Sequence, residues 1–283
     1  MSPMSRVSRA PVLSLALVVG AALSTSACGG GEEAEPVQDP PTGMAAAGGG
    51  SDLVDLLRAG EPVFGVFSGP KTPEQGALMA SETDADFILY SMESGPFDVA
   101  GMEAYLGGMR EAGGADVLSR LPVVLRVPPI EDVEAARGQV DSALPTGIGG
   151  IVFPHAARPD QAAASAVLLP GSWPQDPGGD QVNILIVEDH EGIENVREIM
   201  ATPGLSVVFA GPGDLRRAYE GDMEQVEAAI QTVLAACKEF EVVCGVTAGV
   251  DDIGDRLEQG FGMIIVTEPE AVAAGMAAAG RTE

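Results

Sequence analysis

Eight short apolar, β-branched runs recur between residues 62 and 266, and the segments between them carry helical patterning. The runs cover residues 62–67, 86–90, 123–127, 148–153, 182–187, 205–210, 242–246 and 263–266. Each has strand length. Intervening stretches such as 102–112, 133–144 and 223–240 place apolar residues three and four apart, the spacing of one helix face. Strands that read as continuous apolar runs are buried on both faces, and strict strand–helix alternation argues for a parallel sheet with helices outside. Two architectures satisfy this pattern, a closed (β/α)8 TIM barrel and a doubly wound open sheet. Residues 51–283 lie near the lower end of the length range for a single barrel, and eight units favour closure.

The chain ahead of these units has a different character. Arg6 and Arg9 precede an apolar stretch at 11–23, which is short for a permanent membrane span. Small residues then lead to Cys28 (Ser24-Thr25-Ser26-Ala27-Cys28-Gly29). This resembles a bacterial lipoprotein cleavage site, with Cys28 as the lipidated first residue. Ordinary signal cleavage near Ala27 is the alternative. Residues 28–50 are Gly, Pro, Ala and acid with almost no large apolar side chain, so they read as a flexible tether. The expected organisation is a signal peptide at 1–27, a tether at 28–50 and one folded domain at 51–283. It implies an exported lipoprotein held at a membrane through Cys28, with the domain outside the cytoplasm.

The formal net charge of −27 becomes −29 without the signal segment, which carries two Arg and no acids. Such a surface repels nucleic acid and excludes it as a partner. Beyond Cys28 only Cys237 and Cys244 remain, and no zinc-type Cys/His spacing exists. An exported protein could pair these two; the simpler expectation is a pair of buried free thiols.

Function in a barrel gathers at the C-terminal ends of its strands. The segment 184–215, ILIVEDHEGIENVREIMATPGLSVVFAGPGDL, forms one strand–helix–strand unit. One strand ends in Glu188, and the next ends in Gly211-Pro212-Gly213-Asp214. Parallel strands of such a unit are neighbours, so both acids reach one rim. Two close carboxylates repel unless one is protonated or a cation lies between them, and an oxygen-loving ion such as Mg²⁺ or Mn²⁺ suits them. A helix cap at Asp214 and a solvated Glu188 would leave the same pattern. Arg126 ends the third strand, where it could serve chemistry or form a salt bridge with Glu93. The two histidines of the chain, His155 and His190, both fall just past strand ends.

The 184–215 segment resembles the HpcH/HpaI aldolase/citrate lyase family, metal-dependent aldolases that act on 2-oxo acids. The resemblance extends from about residue 53 to residue 266. It implies that Glu188 and Asp214 hold the divalent metal, and that the turn Gly211–Pro212–Gly213–Asp214 takes the substrate carboxylate. It also implies that Arg126 contacts the oxygen of the 2-oxo acid. The family's proton-transferring Asp and His correspond to Ser91 and Ser94, and its Gln ahead of the metal Glu corresponds to Ile186. Serine cannot hold a proton reversibly near neutrality, so His155 or His190 becomes the candidate base. Between 170 and 182 the chain is shorter than the family, which implies a more open pocket; Trp173 could cover the gap, and packing is its simpler role. Lys71 and Lys238 are the only lysines, which weighs against a Schiff-base aldolase. The implied function is a divalent-metal-dependent carbon–carbon lyase acting on a 2-oxo acid such as pyruvate plus an aldehyde. The alternative is a catalytically degenerate barrel serving as a membrane-anchored carboxylate-binding or structural module. A homo-oligomer is implied by analogy with the family.

Overall fold

The computed structural model describes residues 52–281. The expected signal peptide and tether, and Cys28 with them, lie outside the described residues. In chain order the elements are α1 (Asp52–Ala59), β1 (Val63–Phe67), α2 (Pro73–Glu82), β2 (Phe87–Ser91), α3 (Val99–Gly113), α4 (Val117–Arg120) and β3 (Val123–Arg126). There follow α5 (Val133–Ala143), β4 (Gly150–Phe153), α6 (Pro159–Leu168), β5 (Ser172–Trp173), β6 (Gln181–Val187), α7 (His190–Glu194) and α8 (Val196–Met200). The last are β7 (Val207–Ala210), α9 (Pro212–Ala218), α10 (Met223–Phe240), β8 (Val243–Ala248), α11 (Ile253–Gln259), β9 (Met263–Val266) and α12 (Glu270–Ala278).

All strand pairings are parallel, and the order β1-β2-β3-β4-β6-β7-β8-β9 closes through β9 pairing with β1 and β4 pairing with β6. The fold is a (β/α)8 barrel; closure, not an open sheet, is what the eight runs encode. Alternation along each strand sorts side chains into two layers. Phe87, Leu89, Val124, Val152, Ile184, Ile186, Val207, Phe209 and Ile265 form a cluster inside the barrel. Phe64, Ile88, Tyr90, Leu125, Ile151, Leu185, Val208 and Ile264 pack outward against the helices. The inner layer mixes large and small residues. A Cβ at Gly65 would collide with the Phe87 ring, so glycine there makes room for that ring. Leu53, Val54 and Leu57 of α1 are buried with the inner cluster beside Val63.

Two expectations change in detail. The amphipathic segment after Glu188 is two helices, α7 and α8, divided at Asn195. The Asn195 side chain donates to the Ala157 carbonyl at 2.9 Å, which ties the break to the neighbouring unit. The expectation of free thiols is overturned: Cys237 at the end of α10 and Cys244 in β8 form a disulfide, with Cα atoms 5.6 Å apart. Neighbouring placement of the helix end and strand start brings them within bridging range. Trp173 pairs with Val182 near the start of β6. The 170–182 connection therefore sits at the N-terminal end of the barrel, and Trp173 packs there, away from the mouth. Among the described residues no helix is long and apolar enough to cross a membrane.

A candidate metal centre at the barrel mouth

Glu188 follows the last residue of β6, so its side chain emerges at the C-terminal mouth. It is only 3% exposed. Burial pushes its carboxyl up to about 7, with the negative charges of Glu93 and Asp189 adding to the rise. The His155 backbone N–H and the Arg126 charge act in the opposite direction without cancelling it.

Three strand ends converge on this carboxylate. From β4, the His155 N–H donates to Glu188 Oε1 at 2.9 Å, and the imidazole Nδ1 lies 3.3 Å from the same oxygen. The other ring nitrogen, Nε2, lies 3.3 Å from Glu93 Oε1. Glu93, just past β2, also pairs with Arg126 from β3, Oε2 to Nη2 at 3.0 Å. Arg126 Nε donates to Ser91 Oγ at 2.9 Å. A chain of contacts thus runs from Ser91 through Arg126, Glu93 and His155 to Glu188. Glu93, His155 and Glu188 each offer a ligand atom within 4.8 Å of the others. Adjacency explains the convergence, because β2, β3, β4 and β6 are consecutive staves.

His155 has φ +52°. A non-glycine residue in the left-handed region holds that conformation only when its surroundings enforce it, at roughly 1–3 kcal/mol. The N–H bond to Glu188 is one such restraint.

The neighbouring stave supplies the turn. β7 pairs with β6, matching Ala210 to Val187, so the Gly211–Asp214 turn stands beside Glu188. A Cβ on Gly211 would come within 2.5 Å of Glu188 Oε2, which only glycine avoids. Pro212 and Gly213 begin α9, and Asp214 lies in its first turn. The Asp214 carboxylate is ion-paired with Arg217 one turn along, outside the Glu93–His155–Glu188 group. His190 also stays outside that group. Its Nε2 is 2.8 Å from the Ala218 carbonyl and its ring stacks edge-on against Tyr219 at 4.2 Å. Ser94 is exposed. Of the residues expected at the site, the structure brings Glu188, Arg126 and His155 together and sets Gly211 against them. Glu93, expected as a salt-bridge partner for Arg126, makes that salt bridge and also joins the cluster.

The donor set suits a divalent cation. A buried carboxylate, an imidazole and a second carboxylate, with ligand atoms within 4.8 Å of one another, are donors for such an ion. Residues 71–267 match the family described as HpcH/HpaI aldolase/citrate lyase. The chain is 26% identical over 211 residues to a 2-dehydro-3,6-dideoxy-6-sulfogluconate aldolase of Pseudomonas putida, covering 66% of this chain and 79% of that one. It is 25% identical over 225 residues to a hydroxypyruvate/pyruvate aldolase of Paraburkholderia phytofirmans, covering 69% and 82%. A family member from Burkholderia cenocepacia superposes with a TM-score of 0.66 at 25% identity, covering 81% of this chain and 97% of that chain. A Mycobacterium tuberculosis citrate lyase beta subunit, solved with oxaloacetate and magnesium, shares the fold at a TM-score of 0.59 and 20% identity, over 79% and 99% of the two chains. With the match spanning most of the barrel, this chain belongs to the HpcH/HpaI aldolase/citrate lyase family.

Proposed function

We propose that this protein is a divalent-metal-dependent carbon–carbon lyase that acts on a 2-oxo acid such as pyruvate together with an aldehyde. The observation that carries the reading is the buried Glu188 carboxylate at the mouth, with Arg126 and Glu93 beside it. Glu188, with Asp214 from the next stave, would hold Mg²⁺ or Mn²⁺, and such an ion supplies Lewis acidity toward a keto oxygen and its carboxylate. Charge supports this assignment: the negative charges of Glu93 and Asp189 both act on Glu188, and Arg126 offsets them only in part.

The side chains of this protein then have separate tasks. Arg126 is fixed by Ser91 and Glu93, so its guanidinium is pre-aimed at charge developing on an enolate oxygen. The Gly211–Asp214 turn lies where it can receive the substrate carboxylate. With serines at 91 and 94, the proton falls to Glu93, which pairs with Arg126 and faces His155 Nε2. The test is exchange of pyruvate methyl protons with deuterium oxide, with and without Mn²⁺ or Mg²⁺. Exchange that requires the ion and is lost in Glu188→Gln supports the reading. Ion and pyruvate binding without exchange replaces it with a carboxylate-binding module, and absence of binding removes both.

Export and lipidation at Cys28 belong to the same proposal. The Cys237–Cys244 disulfide supports an oxidising compartment. Retention of the wild-type chain in a detergent-soluble membrane fraction, with Cys28→Ser released from it, is the expected result.

A further inference from the structure

We propose that His155 is itself a ligand of the metal, through Nδ1, and that Glu93 is the outer carboxylate that orients its ring. This deepens the metal-dependent reading above and rests on it. The first ground is geometric. His155 Nδ1 and Glu188 Oε1 are 3.3 Å apart. An ion bonded to both at about 2.1 Å would see them at an angle of roughly 100°, between the octahedral and tetrahedral values. Two donors touching through no shared hydrogen would otherwise repel, so this spacing suits either a proton or a cation between them.

The second ground is the opposite side of the ring. Nε2 faces Glu93 Oε1 at 3.3 Å, and Glu93 is anchored by Arg126 at 3.0 Å. A metal-bound imidazole characteristically gives its remaining N–H to a carboxylate, which fixes the tautomer and the ring plane. The relay Arg126–Glu93–His155 has that form. The third ground is the backbone. His155 holds φ +52° at the end of β4, a conformation that Asn or Gly adopts more readily. This backbone carries an imidazole whose two ring nitrogens both face acids.

A nitrogen donor changes which ion the site selects. Mg²⁺ takes oxygen ligands and keeps much of its water, whereas imidazole favours transition ions such as Mn²⁺, Co²⁺ and Zn²⁺. The site therefore prefers Mn²⁺ over Mg²⁺ by about tenfold or more. Ligation also occupies the Nδ1 lone pair, so His155 positions the ion rather than accepting a substrate proton there.

The test uses untagged full-length protein loaded with Mn²⁺ and read by pulsed electron paramagnetic resonance. The expected spectrum shows ¹⁴N coupling from a directly bound imidazole. That coupling disappears in His155→Asn, which tolerates the left-handed backbone, and persists in His190→Asn. Competition with Mg²⁺ should show the Mn²⁺ preference shrinking about tenfold in His155→Asn. Bound Mn²⁺ without imidazole coupling, or coupling unchanged in His155→Asn, overturns the ligand assignment while leaving the lyase reading to its exchange assay. Failure of the wild type to bind Mn²⁺ at all overturns both.

Discussion

Replacing Glu188 with Gln should stabilise the metal-free protein, and by an amount that depends on pH. The carboxyl loses its proton at about 7 in the folded chain, against a usual value of 4.5. A raised acid binds its proton more tightly folded than unfolded, so folding stability falls as pH rises through that interval. Below pH 4.5 the group is neutral in both states and contributes no penalty. Above pH 7 the full penalty of about 3 kcal/mol is present. Because Glu188 is 3% exposed, solvent does little to reduce this figure. Gln keeps the carbonyl oxygen that accepts from the His155 N–H while carrying no charge. In chelator, Glu188→Gln should therefore match the wild type near pH 4.5 and exceed it by about 3 kcal/mol at pH 8.5. For a domain of this length that is roughly 6–12 °C in Tm. Urea unfolding and thermal melts across that pH range measure it. Addition of Mn²⁺ at pH 8.5 should reverse the order, since only the wild type gains binding energy. A difference that is constant with pH, or a wild type more stable than the variant at pH 8.5 in chelator, would refute the burial argument.

Other perturbations test other contacts. Gly211→Ala sets a methyl 2.5 Å from Glu188 Oε2 and should weaken divalent-ion binding about tenfold or more by calorimetry. Arg281→Ala strips Asp86, 8% exposed, of a two-pronged guanidinium partner at 2.7 and 2.8 Å. Stability should fall by about 3 kcal/mol in urea, because the buried charge remains without its counterion. Opening the Cys237–Cys244 bridge as a double Ser variant should lower stability by about 2 kcal/mol, and reductant should not alter that variant further.

The fold was largely legible because strand and helix periods are local properties. The eight runs match the eight barrel strands to within a residue or two, and the pattern at 223–240 is α10 from end to end. Val226, Ala229, Ile230, Val233, Leu234 and Cys237 fall on its buried face, and Asp222 caps it by accepting from the Glu224 and Gln225 N–H groups. What escaped was set by tertiary context. No periodicity marks the break at Asn195, which depends on a carbonyl of the preceding unit. The two-residue β5 is too short to leave a pattern. The disulfide depends on where a helix end meets the next strand, a distance that composition cannot supply.

The site was legible as a list of strand ends and illegible as a set of contacts. Reading the ends in turn finds Ser91, Glu93, Arg126, His155 and Glu188, because a parallel barrel brings all its strand termini to one rim. It does not say which termini touch. That follows from stave order, in which β4 and β6 are neighbours, and from the register of each strand pair. Once β4 and β6 pair, matching Phe153 to Leu185, the residues just beyond them come together at the rim, where His155 faces Glu188. His190 shows the other half of the lesson. It too follows a strand end, yet as the first residue of α7 it is carried over toward α9 and bonds Ala218. The difference lies in backbone direction. The left-handed turn at His155 sends its ring back across the mouth, while helical geometry at His190 leads outward. A positive φ on a histidine has no sequence signature, so one of two similar histidines joins the cluster for a reason only the folded backbone expresses.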